Sequence, residues 1–261
     1  MPVYKDQMNR AVELSSTPKR IISLVPSQTE LLFDLGLDEE IIGITKFCIH
    51  PANKVKQKLK IGGTKVLNIK LIKESKPDLI IGNKEENEQG QVEELMRDFP
   101  VWMSDITDLS GAVDMIQKVG QLVDRKDAAL KLTSLITSSF NKLNIKTSSP
   151  RVAYLIWRKP FIVAGKGTFI DDMLKRCGLS NAFDLDRYPE VFPAQIVEAN
   201  PGVVFLSSEP YPFNERHITE FKALAPHANI QLVDGELFSW YGSRLLHAPE
   251  YFKQLIDSLN Q

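Results

Sequence analysis

The sequence predicts an α/β protein with two similar lobes, parallel sheets and one long helix between the lobes. Residues 124–146 contain no glycine or proline, and apolar side chains recur there every three or four positions. This pattern is typical of one amphipathic helix of roughly 35 Å. Residues 72–81 and 196–205, on either side of that helix, share another pattern: a helix end, a proline that stops it, and an apolar strand. Short apolar runs that alternate with helical segments indicate parallel strands buried between helices.

The predicted N-terminal lobe comprises residues 1–123. It begins with a short hairpin between Val3 and Leu14, and Ser27 with Glu30 suggests a capping box at the start of a helix that ends at Gly36. Its other predicted strands and helices alternate along the chain. The strands are 21–25, 41–44, 79–81 and 101–103, and the further helices are 68–76, about 92–97, and 109–123.

The predicted C-terminal lobe comprises residues 147–261 and follows the connecting helix 124–146. The same alternation of strands and helices recurs in it, so a second parallel sheet is expected. The predicted strands are 152–157, 161–164, 203–206 and 230–233, and the predicted helices are 168–177, 194–199, 215–224 and 243–259.

The composition excludes several classes of protein. The chain has 261 residues, 32 basic and 33 acidic side chains, and a net charge of −1, which gives no indication of binding to nucleic acid or to an anionic membrane surface. No apolar run reaches the roughly 18 residues of a membrane span, and two cysteines make neither a disulfide framework nor a zinc site. The first 16 residues contain no apolar stretch of an export signal. As the sequence stands, a cytoplasmic location is expected; the alternative is a periplasmic or cell-surface protein whose start is misassigned.

Ligands of parallel α/β sheets bind beyond the carboxyl ends of the strands, and this rule nominates a set of loop residues. Many of them are aromatic, which suggests a broad, flat, apolar ligand with polar edges. The predicted ligand-binding residues are Pro26, Ser27, Gln28, Phe47, Cys48, His50, Gly63, Thr64, Lys84, Trp157, Phe161, Tyr188, Trp240, Tyr241 and Arg244.

Cys48 and His50 lie two positions apart in one of these loops. They could act as a nucleophile and its base, or both could ligate a metal, but no third partner is evident and a structural role is the alternative. Gly165, Lys166 and Gly167 are too short a run for a phosphate-binding loop. The sequence therefore predicts no catalytic residue and no metal site.

Several segments together resemble one known family. They are RIISLVPSQTELLFDLGLDEEIIGIT at 20–45, KLIKESKPDLIIG at 70–82, VAGKGTFIDDMLKRCGLSNAF at 163–183, FPAQIVEANPGVVFL at 192–206 and GSRLL at 242–246. They resemble the substrate-binding proteins of ABC importers for vitamin B12, haem and iron–siderophores, and the vitamin B12 branch most closely. The resemblance implies two Rossmann-like lobes joined by a rigid backbone helix, matching 124–146, with the ligand held between the lobes.

The resemblance also implies a function: non-catalytic binding of a corrinoid or related metal chelate, with no cofactor besides that ligand. In the vitamin B12 branch, a tyrosine stands at the position of Phe47 and Cys48, a tryptophan at Tyr188, and a second tryptophan at Thr64. One alternative is an iron–siderophore or haem protein, with Lys84, Arg158 and Arg244 facing an anionic ligand. A second alternative is a cytosolic thiol enzyme or corrinoid-processing protein that uses Cys48 and His50.

A partner is implied as well. Transport proteins of this branch present one glutamate per lobe to arginines of an ABC permease, and the corresponding positions here carry Lys70 and Ala194. A permease partner is therefore possible, although these docking glutamates are missing. We expect no nucleic-acid partner, and we expect a monomer.

Overall fold

The computed structural model describes residues 2–143, 145 and 149–259, and the protein is α/β with two sheets, as the sequence predicts. The chain forms two compact units. Unit 1 comprises Met1–Ile106, Ser110–Leu135 and Tyr241–Arg244, and unit 2 comprises Thr107–Leu109, Ile136–Trp240 and Leu245–Gln261.

The first half of the chain builds one parallel sheet with a small hairpin beside it. Strands β1 and β2 form the predicted antiparallel hairpin, and the other five strands are parallel in the order β5-β4-β3-β6-β7. The elements are β1 (Val3–Lys5), β2 (Ala11–Glu13), β3 (Ile21–Ser23), α1 (Pro26–Asp34), β4 (Ile41–Ile44), α2 (Ala52–Val55), β5 (Leu59–Lys60), α3 (Ile69–Glu74), β6 (Leu79–Asn83), α4 (Gln89–Met96), β7 (Val101–Ser104), α5 (Leu109–Leu122) and α6 (Lys126–Lys142).

The strands of this sheet are apolar and buried. The central residues Ile21, Ile22, Ile80 and Ile81 are fully buried, as parallel strands covered on both faces require. Each such side chain contributes about 1.5–3 kcal/mol by leaving water. The carboxyl ends of β3, β4, β6 and β7 meet at one edge of the sheet because all the strands run in one direction.

Helix α1 begins two residues earlier than a capping box at Ser27 would allow. Pro26 occupies the first helical position, Val25 is the N-cap without a side-chain hydrogen bond, and Ser27 lies inside the first turn. The predicted capping box at Ser27 is therefore wrong. Pro26 suits the first position because its φ is already helical and the missing N–H is not needed there. Gly36 ends the helix at a φ of +79°, as predicted.

The long predicted helix is shorter than the pattern suggests. Helix α6 runs from Lys126 to Lys142, and residues 144 and 146 of the predicted range lie outside the described residues. Asp124 has a φ of +57°, so a turn separates α5 from α6. The two helices pack closely there: a Cβ on Gly120 would lie 2.3 Å from the Cβ of Ala129.

The second half of the chain builds a mixed sheet with β11-β9-β8-β12-β13 as its main path and β10 paired with β8. Strands β8, β10, β12 and β13 are parallel, whereas β9 and β11 pair in the antiparallel sense. The elements are β8 (Arg151–Trp157), β9 (Phe161–Val163), α7 (Phe169–Arg176), β10 (Ser180–Asn181), β11 (Glu190–Val191), α8 (Pro193–Ala199), β12 (Val203–Ser207), α9 (Glu215–Leu224), β13 (Asn229–Val233), α10 (Gly235–Ser239) and α11 (Ala248–Leu259).

Two features of this half differ from the prediction. Only three residues join β8 to β9, which is too short for the crossover that a parallel neighbour needs, so the sheet is not purely parallel. The predicted helix 243–259 is divided into a 3₁₀ turn, Ser243–Leu246, and α11. Pro249 explains the break, because its ring would clash with the carbonyl four residues earlier in a continuous helix.

Candidate functional site

A buried hydrogen-bond network lies at the carboxyl ends of β3, β6 and β7. Gln28 Nε2 donates to Ser104 Oγ at 2.6 Å, and Asn83 Nδ2 donates to the same oxygen at 3.0 Å. Ser104 donates its own proton to the carbonyl of Gly82. Sequence reasoning identified Gln28 and the loop that begins at Asn83 but missed Ser104, although a polar residue that ends a buried strand was a usable signal.

Asn87 extends this network to the turn that carries Thr64. Its Oδ1 accepts the backbone N–H of Asn83 at 2.8 Å, and its Nδ2 donates to the carbonyls of Leu24 at 3.3 Å and Thr64 at 3.1 Å. The predicted residues Gly63 and Thr64 are therefore fixed beside the end of β3. Thr64 is half-buried and Gly63 is buried.

Ser27 and Gln28 each carry a buried oxygen without a hydrogen-bond partner in the described part of the chain: Ser27 Oγ and Gln28 Oε1. Both residues lie in the first turn of α1. The nitrogen of the Gln28 amide faces Ser104, since the Ser104 proton is used on Gly82, so the oxygen is the unpartnered atom. A buried acceptor left without a donor costs about 1–3 kcal/mol, which makes these two atoms candidates for contact with a ligand.

Phe47 is the predicted aromatic residue most exposed in unit 1, at 52%. Its ring lies against Gly63, where a Cβ would come within 3.0 Å of Phe47 Cε2. The ammonium group of Lys46 lies 5.1 Å from the ring centroid. An exposed ring held by a glycine turn presents one flat apolar face at the end of β4.

Cys48 is buried and does not have the environment of a reactive thiol. Its sulfur lies 3.2 Å from Thr29 Oγ1 and 3.3 Å from Thr45 Oγ1. Burial raises the pKa of Cys48, and the hydrogen bonds only partly oppose that effect. Because the thiolate is the nucleophile, this setting disfavours the thiol-enzyme alternative. His50, in the same loop, is half-buried.

The charged residue Arg244 is not free to face a ligand alone. Its Nε donates to Glu30 Oε2 at 3.0 Å and its Nη2 donates to Glu30 Oε1 at 2.6 Å. Burial raises the pKa of Glu30, while Arg244 and then His50 oppose the shift. Tyr241 belongs to the same segment of unit 1 and donates to Glu86 Oε1 at 2.8 Å.

The two other cations proposed for an anionic ligand also have carboxylate partners. Lys84 Nζ lies 2.6 Å from Asp105 Oδ2 in unit 1. Arg158 in unit 2 donates from Nε to Glu220 Oε2 at 2.8 Å and from Nη2 to Oε1 at 3.3 Å. The predicted cationic residues are therefore largely neutralised by neighbours.

In unit 2, Trp157 is the last residue of β8 and is 39% exposed. Its ring meets Tyr211 edge-on at 5.8 Å, and Tyr211 meets Phe213 at 4.7 Å. His217 Nδ1 accepts the backbone N–H of Asn214, so its Nε2 carries the proton and donates to Tyr211 Oη at 3.2 Å. Sequence reasoning missed Tyr211, for which only its place after β12 was a signal.

The other predicted aromatic residues of unit 2 are half-buried or buried. Phe161 packs on Phe221 with ring centroids 5.2 Å apart, and Tyr188 is half-buried with the Arg187 guanidinium 6.0 Å from its ring. Trp240 is buried, and its indole N–H donates to Glu209 Oε1 at 2.8 Å.

Glu209 is a carboxyl group that the sequence analysis did not identify. Ser239 Oγ donates to the same Oε1 atom at 2.7 Å. Burial raises the pKa of Glu209, and the Ser239 hydrogen bond opposes that shift. Glu209 therefore fixes the orientation of Trp240 at the end of β12.

The described residues contain no group of three or more His, Cys, Asp or Glu side chains placed to hold a metal ion. Over the same residues, every helix is too short or too polar to cross a bilayer. The described residues of the site therefore offer exposed rings and polar groups for contact with a ligand, and they include no cluster of side chains that could ligate a metal.

Sequence comparison decides the family. The profile described as "Periplasmic binding protein" matches residues 21–226, which is most of the chain. The chain belongs to the periplasmic binding protein family. The resemblance seen in the sequence is thereby confirmed, and with it the general role of this protein in binding a ligand.

Similar proteins of the periplasmic binding protein family are known. An uncharacterised ABC transporter substrate-binding lipoprotein of Bacillus subtilis is 23% identical over 96% of this chain and 84% of its own length. A vitamin B12-binding protein of Vibrio vulnificus is 26% identical over 76% of this chain and 74% of its own. A periplasmic haem-binding protein of Roseiflexus sp. RS-1 has the same fold, with a TM-score of 0.82 and 21% identity over 93% of this chain and 99% of its own.

These comparisons correct the expected location. The expectation of a cytoplasmic protein is wrong, because the family and the similar proteins are periplasmic proteins or a lipoprotein. That expectation rested on the absence of an apolar stretch in the first 16 residues, and the missing docking glutamates agreed with it. Membership of the periplasmic binding protein family points to a protein that acts outside the cytoplasm.

Proposed function

We propose that this protein is a non-catalytic receptor for a corrinoid, a flat metal chelate with an apolar ring and a periphery of carboxamides. The ligand-binding residues are proposed from those at the carboxyl ends of the strands in each unit. The relatives named for vitamin B12 and for haem make both classes of ring possible. Two features of the site, the paired cations and the unpartnered oxygens, favour the corrinoid, and exposed aromatic rings supply contact for either class of ring.

The main support for this proposal is that the three cationic side chains predicted to face a ligand already have carboxylate partners. An anionic siderophore or a haem with two propionates calls for free Arg or Lys side chains. Lys84, Arg158 and Arg244 each have a carboxylate partner within 2.6–2.8 Å. An amide-rich ligand without carboxylates at its edge does not need to break those ion pairs.

Exposed aromatic rings supply the apolar contact. Phe47, in the loop after β4, and Trp157, at the end of β8, are 52% and 39% exposed. Rings of this kind stack on flat ligands and contribute about 0.5–1.5 kcal/mol beyond the burial of their area. The other predicted rings are more covered, so these two are the proposed stacking residues.

The unpartnered oxygens of Ser27 and Gln28 supply the polar selectivity. Gln28 Oε1 can only accept a hydrogen bond, and an ionised propionate has no proton to donate. A carboxamide has two N–H donors for Gln28 and Ser27. We propose that a carboxamide of the ligand contacts this first turn of α1.

The partner of this receptor is proposed to be an ABC permease, as the name of the Bacillus subtilis relative suggests. Lys70 and Ala194 are both exposed, and they stand where the vitamin B12 branch has docking glutamates. Docking through arginines of a permease is therefore not expected at these positions. The double substitution Lys70→Glu, Ala194→Glu should create it, measured as binding to a permease of that branch in detergent.

Calorimetric titration with cobinamide, cobalamin and haem tests the proposal. We expect cobinamide or cobalamin to bind, and Phe47→Ala or Trp157→Ala to weaken binding about tenfold or more. Phe192→Ala is the matched control, because Phe192 is a 74% exposed ring that no part of the proposal uses. Haem binding with no corrinoid binding would favour the alternative, and equal effects of all three substitutions would contradict the assignment of Phe47 and Trp157.

A further inference from the structure

Glu209 lies beside Trp240 at the end of the unit 2 sheet where a ligand is expected. It follows β12 by two residues, and Trp240 follows α10, the helix that comes after β13. Strands β12 and β13 are parallel neighbours, so their carboxyl ends meet at the same edge of the sheet. Ligands of such sheets bind beyond the carboxyl ends of the strands. Glu209 is therefore a half-buried carboxyl group in the ligand-binding region of unit 2.

The two oxygens of the Glu209 carboxyl have different surroundings. Ser239 Oγ and Trp240 Nε1 both donate to Oε1, at 2.7 and 2.8 Å. Oε2 accepts no hydrogen bond from the described residues, and it is not one of their fully enclosed, unpartnered side-chain atoms. Oε2 is thus the accessible oxygen of a carboxyl group whose other oxygen is held in place.

The surrounding turn fixes the position of the Glu209 side chain. A Cβ on Gly235 would lie 2.6 Å from Glu209 Cγ, so the side chain packs directly against this glycine. Ser207 Oγ donates to the backbone carbonyl of Glu209 at 2.6 Å, and Tyr154 Oη donates to Ser207 Oγ at 3.2 Å. The fold sets the position of Oε2 before a ligand binds, which lowers the ordering cost of a contact.

An anchor for Trp240 would not need a carboxyl group, because a neutral amide oxygen accepts the same two hydrogen bonds. Burial raises the pKa of Glu209, the like charges of Glu236 and Asp234 add to the rise, and its hydrogen bonds oppose it. Tyr154 also faces this carboxyl group from β8, but burial raises the pKa of Tyr154 well above its ordinary value, so its hydroxyl stays neutral. The carboxyl group at position 209 is therefore unfavourable in a way that a purely structural role does not explain.

On the basis of the proposed function, we propose that Glu209 Oε2 contacts the edge of the corrinoid and selects a carboxamide over a carboxylate there. Because Oε1 accepts two hydrogen bonds, the proton of the neutral carboxyl group belongs on Oε2, which then donates, whereas the ionised group accepts through the same atom. A carboxamide meets either state, since it has both N–H donors and a carbonyl acceptor. A ligand carboxylate can only accept, so it matches the neutral state and is repelled by the ionised one.

The separated monocarboxylic acids of cyanocobalamin test this selection, because in each of them one carboxamide is replaced by a carboxylate. Calorimetric titrations of the full chain between about pH 5.5 and 8 keep the ligand carboxylate ionised. For at least one acid, the affinity should fall by up to about tenfold per pH unit as Glu209 ionises, since binding requires the Glu209 proton. The affinity for cyanocobalamin itself should change by less than about threefold.

The variant Glu209→Gln mimics the neutral carboxyl group. Its amide oxygen can accept from Ser239 and Trp240 while its NH₂ group donates in place of Oε2. The same acid should then bind without dependence on pH in this interval, and cyanocobalamin should bind about as tightly as it does to the wild type. Glu236→Gln is the matched control, because it removes a neighbouring charge and leaves Oε2 in place. It should retain the fall in affinity, moved to a lower pH because a like charge is gone.

Thermal unfolding checks that both variants are folded. A fall in affinity that persists in Glu209→Gln, or no fall with any acid in the wild type, would overturn the proposal. An equal loss of affinity for cyanocobalamin and for its acids in Glu209→Gln would also overturn it, since Glu209 would then act only by orienting Trp240. The contact proposed for Ser27 and Gln28 is distinguishable, because neither side chain titrates in this interval. Binding of no corrinoid would overturn the proposed function together with this contact.

Discussion

Arg244 binds Glu30 through two hydrogen bonds, of 3.0 and 2.6 Å, across 214 positions of sequence. Ser243, the residue before Arg244, donates to Asp34, which lies on α1 as Glu30 does. Gly242 lies so close to α1 that a Cβ would come within 2.5 Å of the Ser27 carbonyl oxygen. These contacts fasten the segment Tyr241–Arg244 to α1 within unit 1, next to the first-turn residues that we propose for ligand contact.

Breaking the ion pair between Arg244 and Glu30 should destabilise the protein. Arg244→Met leaves a mostly buried carboxylate without its cation, and we expect a loss of about 3 kcal/mol in the free energy of unfolding. The double substitution Arg244→Met, Glu30→Leu should recover most of it. Urea unfolding measures both. Arg158→Met at the more exposed pair with Glu220 is the comparison, with a loss of about 1 kcal/mol or less, and equal losses at the two sites would contradict this account.

Ser27→Ala should make the protein more stable and a weaker binder. The substitution removes a buried hydroxyl that lacks a partner and replaces it with a better helix former, so a gain of about 1 kcal/mol is expected. Affinity for the corrinoid should fall, because a hydrogen bond to the ligand is lost. Urea unfolding and calorimetric titration of the same variant measure the two effects.

Ser23→Ala is the matched control for this prediction. Ser23 is equally buried, but its hydroxyl accepts from Thr29 at 2.8 Å and donates to the carbonyl of Val25 at 3.3 Å. Its loss should cost about 1 kcal/mol and leave affinity unchanged. If Ser27→Ala destabilises the protein as Ser23→Ala does, then Ser27 has a structural partner and the proposed contact is wrong.

Glu209 should give stability a measurable dependence on pH. Its pKa is raised in the folded protein above the ordinary value of 4.5, with burial as the main cause. The folded state then holds this proton more tightly than the unfolded state does. The contribution of Glu209 to the free energy of unfolding therefore falls as the pH rises from about 4.5 through the folded pKa.

The variant Glu209→Gln isolates that contribution. The difference in unfolding free energy between wild type and variant should shrink or reverse as the pH rises through this interval. The contributions of the other carboxyl groups are the same in both proteins and cancel in this difference. Trp240 fluorescence should follow the same titration in the wild type, since its indole N–H donates to Glu209. A difference that is flat between pH 4 and 7 would show that the carboxyl titrates normally.

Neither thiol should react in the folded protein. Cys48 and Cys177 are both buried, and burial raises the pKa of each. Iodoacetamide is expected to label them only after unfolding, at pH 7 and at pH 9 alike. Labelling of native Cys48 near pH 7, absent in Cys48→Ala, would revive the thiol-enzyme alternative.

Local patterns predicted much of the fold, whereas the charged contacts of the site could not be predicted. Helix α9 has the expected bounds, Glu215–Leu224, because Asn214 precedes it and a proline follows soon after. The predicted start of α1 was wrong because Pro26 and Ser27 both suit a helix start, and the local sequence does not show which of them begins the helix. Strand β9 runs antiparallel to β8 because only three residues connect the two strands. The apolar pattern of a strand gives no information about its direction.

The residues of the candidate site also divide into those that the local sequence predicts and those that only the tertiary fold brings together. Phe47 and Trp157 were nominated because loop aromatics after buried strands are a local signal, and both are exposed in the structure. Arg244 was nominated as a free cation, but its carboxylate partner is distant in sequence and only the tertiary fold brings it close. Asn83 and Ser104 meet through neighbouring strands, so their network also required the register of the sheet.

Equilibrium dialysis against cobinamide shows whether the protein binds a corrinoid and leaves it chemically unchanged. We expect retention of one cobinamide per chain, displaced by excess cobalamin or unlabelled cobinamide, and recovery of the ligand with an unchanged absorption spectrum after denaturation. Haem in excess should displace it poorly, since its propionates offer no donor to Gln28. Failure to retain cobinamide, or recovery of a chemically altered corrinoid, would contradict the account.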